Sequence, residues 1–176
     1  MKALYLKLLQ TFIDEGTSEE TKDLYRAKGI VPVQHIDFYA GQDQDPEYFE
    51  YFPCPAIFFS WSIDYKQKPA VATVTFRLLY EQLRDTSSQG KNTQEALKFL
   101  DFIEITDNVL HNLESTHTGK LELASEDLQI EPVITDEYIL VYQCSYSGKE
   151  KARENPTGNF NDIKIKGGLF SKLLET

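Results

Sequence analysis

Residues 56–80, AIFFSWSIDYKQKPAVATVTFRLLY, decide the fold. Ile57, Phe59, Trp61 and Ile63 alternate with Phe58, Ser60 and Ser62, and beyond a polar turn from Asp64 to Pro69, Ala72, Val74, Phe76 and Leu78 alternate with Thr73, Thr75 and Arg77. Successive side chains of a strand point to opposite faces, so this period of two collects the apolar residues of each run on one surface. Two such runs joined by a short polar connection predict an antiparallel hairpin with one apolar face. That face has to be covered, and helical patterns on both sides of the hairpin can cover it.

Upstream, Lys2 to Ile13 sets Leu4, Leu8 and Phe12 on one helical stripe with Tyr5 and Leu9 beside it, and Asp14-Glu15-Gly16 ends the pattern. The polar stretch from Thr17 to Gly29 reads as a short second helix or a loop, and His35 to Tyr39 as a first strand. Downstream, Arg84 to Lys91 is a polar loop, and Asn92 with Glu95 three residues on has the form of a helix cap. The helix it opens runs to about Glu114, with a main stripe of Ala96, Phe99, Leu100, Ile103, Leu110 and Leu113. Phe102, Ile105 and Val109 form a second apolar row. Two rows are more than one sheet face needs, so the helix is either buried on two sides or meets another subunit. Leu121 to Ile130 and Tyr138 to Ser147 read as two more strands around a turn from Pro132 to Glu137. The expectation is an α+β domain over residues 1–148. In it, an N-terminal helix and one long helix pack on an antiparallel sheet of four to five strands. A C-terminal tail, 149–176, follows, rich in Lys, Asn and Gly and ending in a short apolar helix near Leu169 to Leu174. There is no internal repeat.

The length of 176 residues suits one domain, and 41% hydrophobic with 12% aromatic residues is too apolar for a disordered chain. The formal net charge of −10 opposes binding to nucleic-acid phosphates. Charge is uneven, with six basic and four acidic side chains from Lys149 onward. Cys54 and Cys144 each lie within apolar runs, the usage of small buried hydrophobes in a reducing compartment. Lys7 interrupts the N-terminal apolar stretch without a small-residue cleavage site after it, and no run approaches the length of a bilayer span. A cytoplasmic protein without a membrane segment is expected.

The residues that carry chemistry are sparse. His35, His111 and His117 fall on a strand, a helix and a loop, and the last two are six apart rather than at the four-residue spacing of helical metal ligands. Asp43, Asp45 and Glu47 begin like a calcium loop, but the sixth position is Tyr48 in place of Gly and the twelfth Cys54 in place of Glu. Gly167-Gly168 has no strand–loop–helix context for a phosphate. No cofactor, no metal and no catalytic residue is expected, and the abundance of Asp and Glu does not by itself make a catalytic carboxylate pair. In the segment Gly41 to Pro53, Asp43, Asp45 and Glu47 are interleaved with Tyr48, Phe49, Tyr51 and Phe52. Large rigid rings are frequent interface anchors, so this segment and the row Phe102, Ile105, Val109 are the two candidate interfaces.

The opening helix Ala3 to Ile13, the strand pair Ala56 to Ile63 and Ala72 to Leu79, the helix Thr93 to Leu113 and the closing Gln129 to Ser147 together form a pattern. It resembles that of phage tail terminator and tail completion proteins and their prophage relatives. The likeness covers most of the chain up to Gly148 and lies in the order of elements. It implies a subunit of a ring, typically a hexamer, that caps the tail tube and docks other tail or head-tail connector proteins, and that passes from the host cytoplasm into the virion. An acidic body would suit a ring through which DNA slides, and the second row on the long helix would suit a subunit interface. The other expectation is a small intracellular binding module that uses the segment from Gly41 to Pro53.

Overall fold

The computed structural model describes residues 1–42, 52–80, 87–129 and 136–149. The hairpin is present as β2 (Ala56–Asp64) and β3 (Ala70–Tyr80), antiparallel and in register from Ala56 opposite Leu79 to Asp64 opposite Val71. Around it stand α1 (Lys2–Phe12), α2 (Glu19–Ala27) and β1 (His35–Phe38) on the N-terminal side. On the C-terminal side stand α3 (Thr93–His111), β4 (Glu122–Gln129) and β5 (Asp136–Tyr146). The sheet order is β1-β2-β3-β5-β4, and the fold is α+β.

One face of the sheet carries the core. Across it run rows such as Phe59, Phe76 and Leu140, and Val74 opposite Tyr142, all fully buried. Leu4, Leu8 and Phe12 of α1, Tyr25 of α2 and Phe99, Phe102, Ile103 and Leu110 of α3 close over them as one cluster. The opposite face carries Ser60, Ser62, Thr73, Thr75 and Gln143, the polar half of the alternation, together with Val141.

Two features depart from the sequence expectation, and a third decides an alternative that it left open. The sheet is mixed, because β1 pairs with β2 in parallel, from His35 beside Ala56 to Phe38 beside Phe59. The polar stretch 17–29 does form a helix, α2. It ends in a Schellman turn in which Gly29, at φ +66°, donates to Arg26 O and Ile30 donates to Tyr25 O. Helix α3 starts at Thr93 as its cap indicates, but its inward stripe includes Thr106 and Phe102, while Leu100 is 56% exposed. Leu100 therefore belongs to the solvent face and not to the core stripe: α3 is rotated toward α2.

Buried hydroxyls fix that rotation. The Tyr25 and Thr106 hydroxyls share a 2.8 Å hydrogen bond, and Thr106 Oγ1 donates to Phe102 O at 2.6 Å, so α2 is tied to α3 through polar groups that are otherwise sealed from water. The Tyr142 hydroxyl rises from the sheet to donate to Asp107 of α3. Burial pushes both phenols above their ordinary range, and at Tyr142 the carboxylate adds to the effect.

Candidate functional site

Strands β1 and β2 run parallel and lie side by side, so the chain leaving β1 must return to the start of β2 before it can pair. Parallel neighbours need such a crossover of a dozen or more residues. The crossover spans residues 39–55 and contains the aromatic and acidic segment singled out in the sequence. Asp43, Asp45, Glu47, Tyr48, Phe49 and Tyr51 lie outside the described residues, but both ends of the crossover are described.

Its departure is fixed by Gln42, a buried side chain whose Nε2 donates to Phe38 O at 2.8 Å while its Oε1 accepts from Ala40 N at 2.7 Å. Between them Gly41 takes φ +93°, a conformation that side-chain-bearing residues rarely adopt. This turn stops β1 after four residues. Tyr39 and Phe52, at the two ends, both land on the face opposite the helices, where they pack on Ala56, Phe58 and Leu79. Phe52 stacks with His35 at 5.7 Å and meets Phe58 edge-on at 4.9 Å. Beneath Tyr39 lies the Arg77 guanidinium, 4.1 Å from the ring centroid, which also pairs with the buried Glu137 carboxylate at 2.6 Å.

The early end of β1 shapes the surface beside it. Pairing between β1 and β2 stops at Phe38 opposite Phe59, and β2 runs on for five residues, from Ser60 to Asp64. Among the described residues no strand pairs with that outer edge. Trp61 sits there on the helix-facing side, 40% exposed, with Phe38 44% exposed and edge-on to it at 5.3 Å. Tyr5 of α1 extends the patch at 4.9 Å from Phe38, and Phe59 forms its floor, 5.1 Å from Phe38 and 5.7 Å from Trp61. A half-open strand edge offers backbone donors and acceptors, and the adjoining rings offer apolar area with little side-chain entropy to lose.

The second sequence candidate is placed differently. Phe102 is fully buried, with its ring 5.7 Å from Tyr25 and 5.3 Å from Tyr80. It therefore has no surface to offer a partner. The reason is α2, which covers the flank of α3 that a second apolar row would otherwise leave open. Ile105 and Val109 are half-buried against the same core. Phe52 is the member of the first candidate set that the structure brings into a cluster, and on the other face of the sheet Phe38, Trp61 and Tyr5 form a separate aromatic patch that the sequence placed only as strand and helix positions.

Elsewhere, a groove of about 710 Å³ lies between α1 and the turn after α3, lined in part by Leu6, Lys7, Gln10, Asn112 and Glu114. A second, of about 420 Å³, shares Glu114 and adds His117 and Tyr146. Among the described residues Glu114 is the one carboxylate lining either groove. Burial pushes the Cys144 thiol up, away from the thiolate form a nucleophile needs. Among the described residues no three His, Cys, Asp or Glu side chains are grouped to hold a metal ion, and no helix is long and apolar enough to cross a membrane. No protein-family model matches the chain, and no curated protein sequence matches it.

Proposed function

We propose that the chain is a structural assembly protein of a phage or prophage tail, of the tail terminator or head-tail completion type. In this reading it acts by forming a ring and by docking tube and connector proteins. The observation that carries the docking half is the Ser60–Asp64 edge, which no strand pairs among the described residues, flanked by Phe38, Trp61 and Tyr5, a surface suited to binding another protein chain. The tail assignment rests on the order of elements: an opening helix, a prominent hairpin, a long helix and two closing antiparallel strands. The net charge of −10 agrees with a ring whose lumen does not hold nucleic-acid phosphates.

The test is the solution mass of the full chain by light scattering over rising concentration, alone and with tail-tube subunits. A closed ring, expected at six copies of the 20.3 kDa chain, supports the reading. A monomer under all these conditions overturns it. A monomer that still captures one defined protein through the crossover would instead favour the binding-module reading, for which the anchoring of both crossover ends by Phe52 and Tyr39 speaks.

A further inference from the structure

The other side of the sheet ends in β4, whose eight residues are exposed along nearly the whole strand. It pairs with β5 alone, and among the described residues nothing meets its outer edge. The backbone donors and acceptors of such an edge can pair with another strand. The side chains around it are partly apolar. Leu123, Glu126 and Leu128 stand opposite Tyr142, Leu140 and Tyr138 and so share the helix-facing side, while Ser125 and Asp127, opposite Val141 and Ile139, share the other. Both leucines are exposed, and so is Leu100. Leu100 adjoins Phe99, whose ring meets Tyr138 at 6.4 Å, and it lies about two helical turns before Asp107, which accepts from the Tyr142 hydroxyl. It therefore stands on the flank of α3 above β5, toward the Leu128 end of β4.

The charge of the edge has one sign. Strand β4 carries Glu122, Glu126 and Asp127 and no Lys or Arg. Among the described residues no Lys or Arg forms an ion pair with these three or with Asp107. Burial first, and then Glu126 and Asp107, hold the Tyr138 and Tyr142 phenols above their ordinary range, so the two carboxylates act on the same pair of rings. The β4 edge of a second copy would set like charges against these, and the copy's other edge, Ser60–Asp64, brings only a further carboxylate. We propose that the outer edge of β4 binds a basic, extended segment of a partner protein as an added antiparallel strand. Along the regular stretch from Ser125 to Leu128, the incoming chain places an apolar residue opposite Leu128 and then basic residues opposite Asp127 and Glu126. The apolar residue and the second basic residue share the helix-facing side, with Leu128 and Leu100 at one end and Glu126 and Asp107 at the other. Strand addition of this kind draws affinity from backbone hydrogen bonds and selectivity from alternate side chains. The proposal stands apart from the ring reading, since it concerns the edge opposite the Phe38–Trp61 surface.

The test is binding of a fluorescent peptide, Thr-Thr-Ile-Arg-Lys-Thr-Val-Thr with blocked ends, to the full chain at low ionic strength, read by anisotropy, with amide chemical shifts locating the site. The peptide should move the β4 amides, and replacing its Arg and Lys by Glu should weaken binding about tenfold or more. E126K/D127K protein should reverse that preference. Two further peptides keep the side chains and carry N-methyl groups at alternate positions, one on Ile, Lys and Val, the other on Arg and the Thr that follows Lys. Only the one whose methyl groups point at β4 should lose binding. No binding, shifts that leave β4 unmoved, or equal affinity for the basic and acidic peptides overturns the proposal. Equal affinity for the two methylated peptides also overturns it, as does a folded E126K/D127K chain that still prefers the basic peptide. The peptide comparisons on the parent chain decide the matter whether or not that variant folds.

Discussion

Truncating the exposed aromatic pair should separate association from folding. Phe38 and Trp61 are 44% and 40% exposed, and aromatic side chains present roughly 150–250 Å² each, so about 80–100 Å² of each ring remains for a partner to cover. At about 25 cal/mol per Å², Phe38→Ala and Trp61→Ala should each weaken a contact that uses them by about 2 kcal/mol, or roughly thirtyfold in its equilibrium constant. The rings are 5.3 Å apart, so the double variant should cost less than the sum. Trp61 also packs on Phe59, and its loss lowers monomer stability as well. Association must therefore be measured where urea unfolding shows each variant still folded. Sedimentation velocity across concentration supplies the association constant, and Leu24→Ala, which removes a 48% exposed side chain on α2, is the control. Folded F38A/W61A protein that self-associates and binds its partners as tightly as the parent would refute the docking role of this edge.

Other substitutions probe the interior. Phe102→Ala should lower unfolding free energy by about 3–5 kcal/mol through a cavity between α2, α3 and Tyr80, with association of the remaining folded protein unchanged, as denaturation and light scattering on the same sample would show. Arg77→Ala should cost about 3 kcal/mol, because it leaves the Glu137 carboxylate buried without its 2.6 Å guanidinium partner; Glu137→Gln in that background should recover part of the loss in urea titrations. Tyr25 and Tyr142 have folded-state pKa values raised above the unfolded value near 10, so their contribution is intact below about pH 10 and is lost as pH rises beyond it. Each should add a slope of about −1.4 kcal/mol per pH unit to stability above that point, and Tyr25→Phe should remove one such slope in urea midpoints taken between pH 8 and 11. Tyr25→Phe should also cost about 1 kcal/mol at pH 7 through the lost bond to Thr106.

The legible parts of the fold are those in which local periodicity and burial agree. In β3, Ala70, Ala72, Val74, Phe76 and Leu78 alternate with half-buried residues, and the sequence pattern alone places them. The stripe Leu4, Leu8, Phe12 reads as directly, because α1 has one face on the sheet and the other in water. Helix α3 read less well. A stripe is assigned by apolarity, and Thr106 is polar but buried because its hydroxyl is satisfied by Phe102 O and Tyr25. Leu100 is apolar yet lies outside the line of contact, and the second row is covered by α2, whose own sequence is polar apart from Leu24, Tyr25 and Ala27.

The candidate site was hidden for a related reason: it depends on where one strand stops. Ile57, Phe59, Trp61 and Ile63 form a continuous alternation, and nothing within that run distinguishes the half that β1 accompanies from the half that it does not. The distinction arises some 20 residues earlier, where Gly41 turns at positive φ and Gln42 closes the turn on Phe38 O, ending β1 after four residues. Because β1 and β2 are parallel, the chain leaving this turn must also travel back to the start of β2. The edge at Trp61, which no strand pairs among the described residues, and the start of the crossover thus both follow from this turn. Replacing Gln42 by Ala, which removes both side-chain bonds, should loosen the two together. Faster hydrogen exchange should then appear at Tyr39, whose amide donates to Phe59 O at 2.9 Å, along with a change in Trp61 fluorescence. A change at Trp61 with Tyr39 left as protected as before would show that the edge and the crossover are set independently.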